Sequence, residues 1–255
     1  MITIKNQAEF ERMALAGRAV AAVLRGVREA AAPGVSTKEL DAVAAAIIKE
    51  HGCRPSFLGY HGYPAHICTS PNHVIVHGIP DGYRLQEGDI LSVDAGAIYE
   101  GFHGDAAVTF PIGEVDPEVE KLVRVAEEAL WAAIAHVRQG GRLGDIGHAV
   151  QTVAEGAGFS VVREYVGHGI GRQMHEEPQV PNYGQPGKGM KLRTGMAICI
   201  EPMVNMGGSQ TRLLEDEWTV VTADGSRSAH FEHTVALTEA GPLVTTAGKD
   251  EDLVR

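Results

Sequence analysis

A repeated order of segments limits the fold of this chain more than any other feature: two helical stretches precede a series of short strands, twice. Asn6 with Glu9, and Ser36 with Glu39, have the spacing of a capping box, which marks a helix start. Apolar residues recur at helical spacing after each box, and the first stretch ends near Pro33. A pair of helices is therefore predicted at the start of the chain.

Short β-branched runs separated by turn sequences follow, from residue 67 to residue 110. Asp116 then supplies an N-cap before proline at the first helical position, and a helical pattern runs to Gly140. A shorter helix is predicted from about Asp145 to Gly156. Strand-like segments return at residues 160–166, 197–200, 218–222 and 229–237.

This repetition predicts an α+β fold in which helices cover an antiparallel sheet. The 255 residues are enough for one large core, so a single domain, 1–255, is predicted. Its two pseudo-symmetric halves would span about 1–114 and 115–255. The halves share no evident sequence identity, and the division rests on the order of elements alone.

Composition excludes several classes of function. The formal charge is -11, with 33 acidic against 22 basic residues, which is not the charge of a general nucleic-acid binder. The opening MITIKNQAEFERM has neither a signal-peptide pattern nor a long apolar run, so a cytoplasmic protein without membrane contact is expected. Three dispersed cysteines, Cys53, Cys68 and Cys199, indicate neither a disulfide framework nor a thiolate zinc site.

Two aspartates are brought together by a predicted hairpin. Asp94 and Asp105 are separated by Tyr99-Glu100-Gly101, a plausible turn, so that folding back places the carboxylates close to each other. Adjacent carboxylates repel each other unless a proton or a cation lies between them. The pair alone does not distinguish such a site from two solvated turn residues.

Four further residues are candidates for a metal or catalytic site. His168 and His175 lie seven residues apart in GHGIGRQMHEEP, which is not the helical spacing of an HExxH zinc motif. Glu201 follows the apolar AICI, and Glu232 lies within the strand-like AHFEHTVAL. Carboxylates there are expected to be partly buried, and such groups require a metal or a basic partner. Taken singly, each residue could equally be an ordinary surface or core residue.

Taken together, four carboxylates and one imidazole form an oxygen-rich set with no thiolate. Two divalent ions would neutralise the acids, with a bridging water or hydroxide as the nucleophile. Such a set suits Mn, Fe(II), Co or Zn and does not select among them.

At these residues the chain resembles the type I methionine aminopeptidases, which have the pita-bread fold. Five motifs occur in the family's order over nearly the whole chain, namely HGIP at 77–80, DAGAIYEGFHGD at 94–105, GHGIGRQMHEEP at 167–178, IEP at 200–202 and FEHT at 231–234. The resemblance implies metal-dependent removal of the N-terminal methionine from nascent proteins and peptides, with a small residue preferred in second position.

The resemblance also implies the roles of individual residues. The ligands of a dinuclear metal pair would be Asp94, Asp105, His168, Glu201 and Glu232. His175 would donate a hydrogen bond to the developing oxyanion, and His77 would position the substrate amide. Glu201 is the expected general base.

The methionine pocket of the family corresponds to Tyr60, Tyr63, Cys68 and Trp218, an apolar and polarizable lining. Phe57 stands where a cysteine is common in the family, and Met174 where a phenylalanine is common. These two departures would alter the shape of the pocket without affecting the metal ligands.

Other expectations follow from the same resemblance. Asn72 and Ser228 match positions that hold a monovalent cation. The partners would be methionine peptides and nascent chains, met transiently at the ribosome, although the sequence has no extended N-terminal region for docking there. A monomer is expected.

Three other functions are compatible with part of this pattern. A proline-specific aminopeptidase or prolidase of the same fold would share the five ligands, but it would carry an extra N-terminal domain and a further histidine. A non-catalytic pita-bread binding protein would tend to lose ligands. A metal-storage or metal-sensing protein would not need HGIP or His175.

Overall fold

The computed structural model describes residues 2–248. Its four α-helices are α1 (Gln7–Ala30), α2 (Thr37–Glu50), α3 (Pro117–Ile134) and α4 (Leu143–Gly156). Both capping boxes are confirmed, because the side chain and backbone of Asn6 bond reciprocally with Glu9, and those of Ser36 with Glu39. The two helix pairs occupy the predicted places.

The boundaries of the second pair differ from the prediction. Asp116 is the N-cap of α3, but its side chain makes no capping bond. The helix ends at Ile134, before Gly140, because the N–H groups of His136 and Val137 bond to carbonyls three residues back and tighten the chain into a turn. Helix α4 begins two residues earlier than expected.

Fifteen strands lie within residues 2–248. They are β1 (Arg54–Pro55), β2 (Ile67–Pro71), β3 (Val74–Val76), β4 (Ile90–Tyr99), β5 (Phe102–Pro111), β6 (Ser160–Val161), β7 (Gly167–Gly169), β8 (Glu176–Val180), β9 (Ala197–Ile200), β10 (Met203–Asn205), β11 (Thr211–Leu213), β12 (Val220–Thr222), β13 (Ser228–His230), β14 (Glu232–Thr238) and β15 (Gly241–Val244). The predicted strand at 160–166 is limited to its first two residues, and the one at 229–237 is broken at Phe231.

The main sheet has nine strands among the described residues, in the order β1-β4-β5-β14-β9-β7-β8, with β2 also on β4 and β15 on β14. Each pairing is antiparallel, as predicted. Two three-stranded sheets, β13-β10-β6 and β11-β12-β3, flank it. The helix, helix, strands order occurs twice, although the division into pseudo-symmetric halves stays a prediction.

The helices pack against one face of β4 and β5. Val93 and Ala95 of β4, and Ala106 of β5, belong to a buried cluster with α1 and α2. A second buried cluster lies under α3 and α4. Because successive side chains of a strand point to opposite faces, Asp94 and Asp105 are directed away from α1 and α2.

Two glycines let α1 lie directly on β5. A Cβ on Gly104 would lie 2.7 Å from the backbone nitrogen of Gly17. We expect Gly104→Ala to destabilise the protein by about 1–3 kcal/mol, because backbone atoms must move to make room. Urea unfolding measures this, with Gly156→Ala at the open end of α4 as the control, where the added methyl meets no described atom. Equal stability of the two variants would contradict the close contact.

Candidate metal centre

The hairpin of β4 and β5 places two of the predicted ligands on one face of the sheet. Asp94 is directly opposite Ala107, and Asp105 lies two residues before Ala107 on the same strand. Residues two apart on a strand share a face, so Asp94 and Asp105 are diagonal neighbours. The predicted hairpin is confirmed, since β4 ends at Tyr99 and β5 begins at Phe102.

Strand β14 brings the third carboxylate to this face from a distant part of the chain. Glu232 pairs with Ala107 from the other side, so one small residue separates Asp94 from Glu232. The Oγ1 atom of Thr234 accepts a hydrogen bond from the Asp105 N–H (3.0 Å) and donates one to the Asp105 carbonyl oxygen (2.8 Å). These bonds fix the backbone that carries Asp105.

Strands β9 and β7 complete the set. Thr234 of β14 pairs with Cys199 of β9, and the Glu201 side chain follows two residues later on the same face. Strand β7 pairs with β9 and carries His168, whose Nε2 lies 3.5 Å from Glu201 Oε1. The five predicted ligands therefore meet at one place on the sheet.

Several carboxylate oxygens of this cluster are buried without a hydrogen-bond donor among the described residues: Asp94 Oδ1, Asp105 Oδ1 and Glu232 Oε1. A buried oxygen without a donor is costly, and a bound cation would satisfy all three. Within residues 2–248, Asp105, His168, Cys199 and Glu232 place ligand atoms within 4.8 Å of one another, as do Glu201, His230 and Glu232. The residues present fit a divalent metal site.

His168 is in the protonation state that a metal ligand requires. Its Nδ1 lies 2.9 Å from the carbonyl oxygen of Gly169, which can only accept, so Nδ1 carries the proton. The lone pair is then on Nε2, which faces Glu201. Burial, and next the nearby His175, lower the pKa of His168 to about 3, which keeps the ring neutral.

The four acids have strongly shifted pKa values in the protein without metal. Burial raises the pKa of Asp94 to about 7, opposed by a hydrogen bond with Asp105. Burial also raises the pKa of Asp105, Glu201 and Glu232 well above the usual range, and the mutual repulsion of the carboxylates adds to it. Ionising all four at neutral pH therefore needs compensating positive charge.

These shifts predict how stability depends on pH. An acid whose pKa is raised by folding stabilises the folded state fully below its unfolded pKa, and loses that contribution as pH rises through the folded pKa. We therefore expect Asp94→Asn to stabilise the metal-free protein relative to wild type by an amount that grows between about pH 4 and pH 7.

Urea unfolding of both metal-free proteins across this range measures the difference. The buried histidines change stability with pH in the opposite direction, but they do so in both proteins and cancel. A constant difference between the two proteins, or one that shrinks as pH rises, would contradict the burial of Asp94. A saturating divalent metal is expected to remove the benefit of the substitution.

His175 lies at the mouth of the pocket, with its ring centroid 4.2 Å from that of His168. The hydroxyl of Tyr60 lies 2.8 Å from His175 Nδ1. Partial burial, and then His61, lower the pKa of His175, which favours a neutral ring. If Tyr60 donates to Nδ1, the proton of His175 is on Nε2, which becomes a donor toward the pocket.

His77 is held in the left-handed region of backbone space, with φ of 61°. Its ring packs nearly perpendicular to that of Tyr165, with centroids 5.9 Å apart. Burial, and then His175, lower the pKa of His77 to about 4, so this ring is also neutral. A positive φ such as that of His77 is costly for a residue other than glycine and is common at functional sites.

One pocket unites the cluster with the predicted methionine-binding residues. Its lining consists of Phe57, Tyr60, Tyr63, Cys68, His77, Asp94, Asp105, His168, Met174, His175, Glu201, Trp218 and Glu232. At the apolar end the ring centroid of Tyr63 lies 5.0 Å from that of Trp218. The one proton of the Tyr63 hydroxyl has two acceptors in reach, the carbonyl oxygens of Ile67 (3.1 Å) and Gly78 (3.0 Å), so the hydroxyl is satisfied and the ring is left as pocket wall.

Asn72 and Ser228 lie outside this pocket but contact each other, because the Ser228 N–H donates to the Asn72 carbonyl oxygen at 2.9 Å. Asn72 has a positive φ of 54°. A cation at this pair stays a prediction.

His230 is a residue of the site that none of the sequence motifs indicates. The residue is 2% exposed, its Nε2 has no hydrogen-bond partner among the described residues, and that atom lies 3.9 Å from Glu201 Oε2. The only signal was its place two residues before Glu232. Cys199, opposite Thr234, is buried; burial raises its pKa well above the usual range, so it is a neutral thiol.

Comparisons with known proteins agree with this geometry. Residues 11–239 match metallopeptidase family M24. The chain is 49% identical to methionine aminopeptidase 1 of Bacillus subtilis, covering 94% of this chain and 97% of that one. It is 50% identical to methionine aminopeptidase 1 of Mycobacterium tuberculosis, covering 96% and 94%.

Solved structures give the same result. Methionine aminopeptidase of Thermotoga maritima superposes with a TM-score of 0.96 at 48% identity, covering 97% of this chain and all of that one. Prolidase of Pyrococcus furiosus, at 21% identity and a TM-score of 0.78, shares the fold, and this chain covers 66% of it.

In residues 2–248 no helix is both long enough and apolar enough to cross a membrane. The matches at about 50% identity extend over nearly the full length of both chains. The chain therefore belongs to metallopeptidase family M24, and within it to the methionine aminopeptidases.

Proposed function

We propose that this chain removes the N-terminal methionine from peptides and nascent proteins, with a preference for a small second residue. One observation carries the proposal: a single pocket joins a buried carboxylate and histidine cluster to an apolar end that suits a thioether side chain. Its cytoplasmic location and transient contact with nascent chains at the ribosome belong to the same proposal.

The ligands of two divalent ions would be Asp94, Asp105, His168, Glu201 and Glu232. Their support is the buried oxygens without donors and the raised pKa values of the four acids. When bound, Mn, Fe(II), Co or Zn would supply a Lewis acid and a water of lowered pKa, which are the requirements of peptide hydrolysis. A monovalent cation beside Asn72 would be separate from this chemistry.

Two histidines would act on the substrate. His175 would donate through Nε2 to the oxyanion that develops on the scissile carbonyl, since Tyr60 occupies Nδ1. His77, neutral and held by its strained backbone, would donate to the substrate amide and position it. Neither ring needs to be charged for these roles.

Glu201 would be the general base, because its side chain lines the pocket and is 13% exposed. The methionine side chain would bind among Phe57, Tyr63, Cys68 and Trp218, with Met174 adjoining. In this pocket Cys68 is a neutral thiol, because burial raises its pKa well above the usual range.

Release of the first residue from two tripeptides tests the proposal. Metal-stripped protein is incubated with Met-Ala-Ser or Ala-Pro-Ser, while Co(II), Mn(II), Fe(II) or Zn(II) is added one at a time. We expect release of methionine alone, restored by metal, and the rates will rank the metals. Release of alanine alone would instead indicate a proline-specific aminopeptidase. No release with any metal would indicate a binding protein that has kept its ligands.

A further inference from the structure

A nitrogen atom of His230 lies beside the candidate metal centre without a hydrogen-bond partner among the described residues. Its Nε2 is fully buried, has no hydrogen-bond partner among residues 2–248, and lies 3.9 Å from Glu201 Oε2. The opposite oxygen, Glu201 Oε1, lies 3.5 Å from His168 Nε2. The Glu201 carboxylate is therefore flanked by two imidazoles, one at each oxygen.

The backbone of His230 is fixed firmly. Its N–H donates to Thr109 Oγ1 at 2.9 Å, and the same hydroxyl donates to the His230 carbonyl oxygen at 2.7 Å. His230 also pairs with Met203 of β10. The imidazole is buried on this fixed backbone, whereas the last side-chain torsion of a glutamate is broad.

We propose that His230 is a positioning residue, whose Nε2–H holds Glu201 Oε2 and leaves Oε1, on the His168 side, for the metal. A carboxylate that binds a metal through one oxygen is normally held by a hydrogen bond to the other. No described residue donates a hydrogen bond to this carboxylate at ordinary distance, and His230 Nε2 faces Oε2. The proposal requires this 3.9 Å separation to shorten when the site is filled, as hydrogen bonds in unoccupied sites commonly do.

The inference rests on the proposed role of Glu201 as a ligand, but its test does not depend on turnover. Co(II) affinity is measured by competition with a chelator, together with the d–d absorption of the bound ion. We expect His230→Leu to weaken Co(II) binding about 10–100-fold. His230→Gln, whose amide can donate but is a poor ligand, is expected to bind Co(II) nearly as tightly as wild type.

A double-mutant cycle with Glu201→Ala shows whether His230 acts through Glu201. In that background His230→Leu is expected to have no further effect on Co(II) affinity. His233→Leu is the control, because His233 lies next to Glu232, is also buried, and its Nδ1 contacts Thr246 outside the cluster. It is expected to leave Co(II) affinity unchanged once folding is verified by circular dichroism.

Three results would overturn the proposal. Wild-type Co(II) affinity in His230→Leu would mean that His230 Nε2 does not position Glu201. Additive losses in the double variant would mean that His230 does not act through Glu201. Failure of His230→Gln to restore affinity, together with an altered d–d spectrum, would mean that His230 binds the ion directly. Normal Co(II) binding in all variants combined with no methionine release would instead count against the proposed function alone.

Discussion

Asp105→Asn is expected to abolish metal-dependent release of methionine. Asparagine keeps the shape of the side chain, and the Thr234 bonds involve only the backbone of residue 105, so the fold should persist. The change removes one negative charge from a residue that is one of the five proposed metal ligands. The loss in kcat/KM should exceed the factor of about 10²–10³ that removal of a single oxyanion donor costs.

The same substitution is expected to make the metal-free protein more stable. Burial raises the pKa of Asp105, and Glu232 and Asp94 raise it further, so the wild-type fold must either protonate this acid or bear the repulsion; asparagine removes that cost. Urea unfolding in the presence of a chelator measures this effect, and a steady-state assay with excess Co(II) measures activity. Asp116→Asn, at a cap that makes no side-chain bond, should change neither quantity. Lost activity accompanied by lost stability would point to misfolding and would contradict the metal-centre interpretation.

The second largest effect is expected for His175→Ala, which should lower kcat by about 10²–10³-fold, because the developing oxyanion loses its donor. Co(II) affinity should stay at the wild-type value, since His175 is not among the proposed ligands. Tyr60→Phe should lower kcat less than His175→Ala, because it removes only the hydroxyl that favours one tautomer.

Steady-state kinetics and Co(II) titration of both variants separate these effects. His148→Ala, on the exposed surface of α4, provides the matched histidine control and should keep full activity. A kcat of wild-type size in His175→Ala would remove this residue from the chemistry. Loss of Co(II) affinity in the same variant would make it part of the metal centre.

The local parts of the site could be predicted because they depend on neighbouring residues. Glu100 and Gly101 both have positive φ, which suits the tight turn that pairs β4 with β5. That turn sets the register, and the register places Asp94 and Asp105 on one face. The capping boxes of α1 and α2 are equally local.

The remaining contacts depend on pairings between distant segments, which residue patterns alone do not specify. Glu232 reaches the aspartates because β14 pairs with β5, and Glu201 because β9 pairs with β14. The resemblance to a known family predicts these residues as ligands, but it is the order of strands in the sheet that brings them together. The proximity of His230 to Glu201 also depends on the break at Phe231, which separates β13 from β14.

The order in which the five proposed ligands occur along the chain has a consequence for synthesis. Asp94 and Asp105 form a local hairpin, whereas His168, Glu201 and Glu232 come from the later part of the chain. A growing chain can therefore hold the first two acids together while the other three are still unmade. Glu232 joins the two aspartates only when β14 pairs with β5, so binding of metal by the full set of ligands requires that pairing. An enzyme that acts on nascent chains would stay inactive throughout most of its own translation.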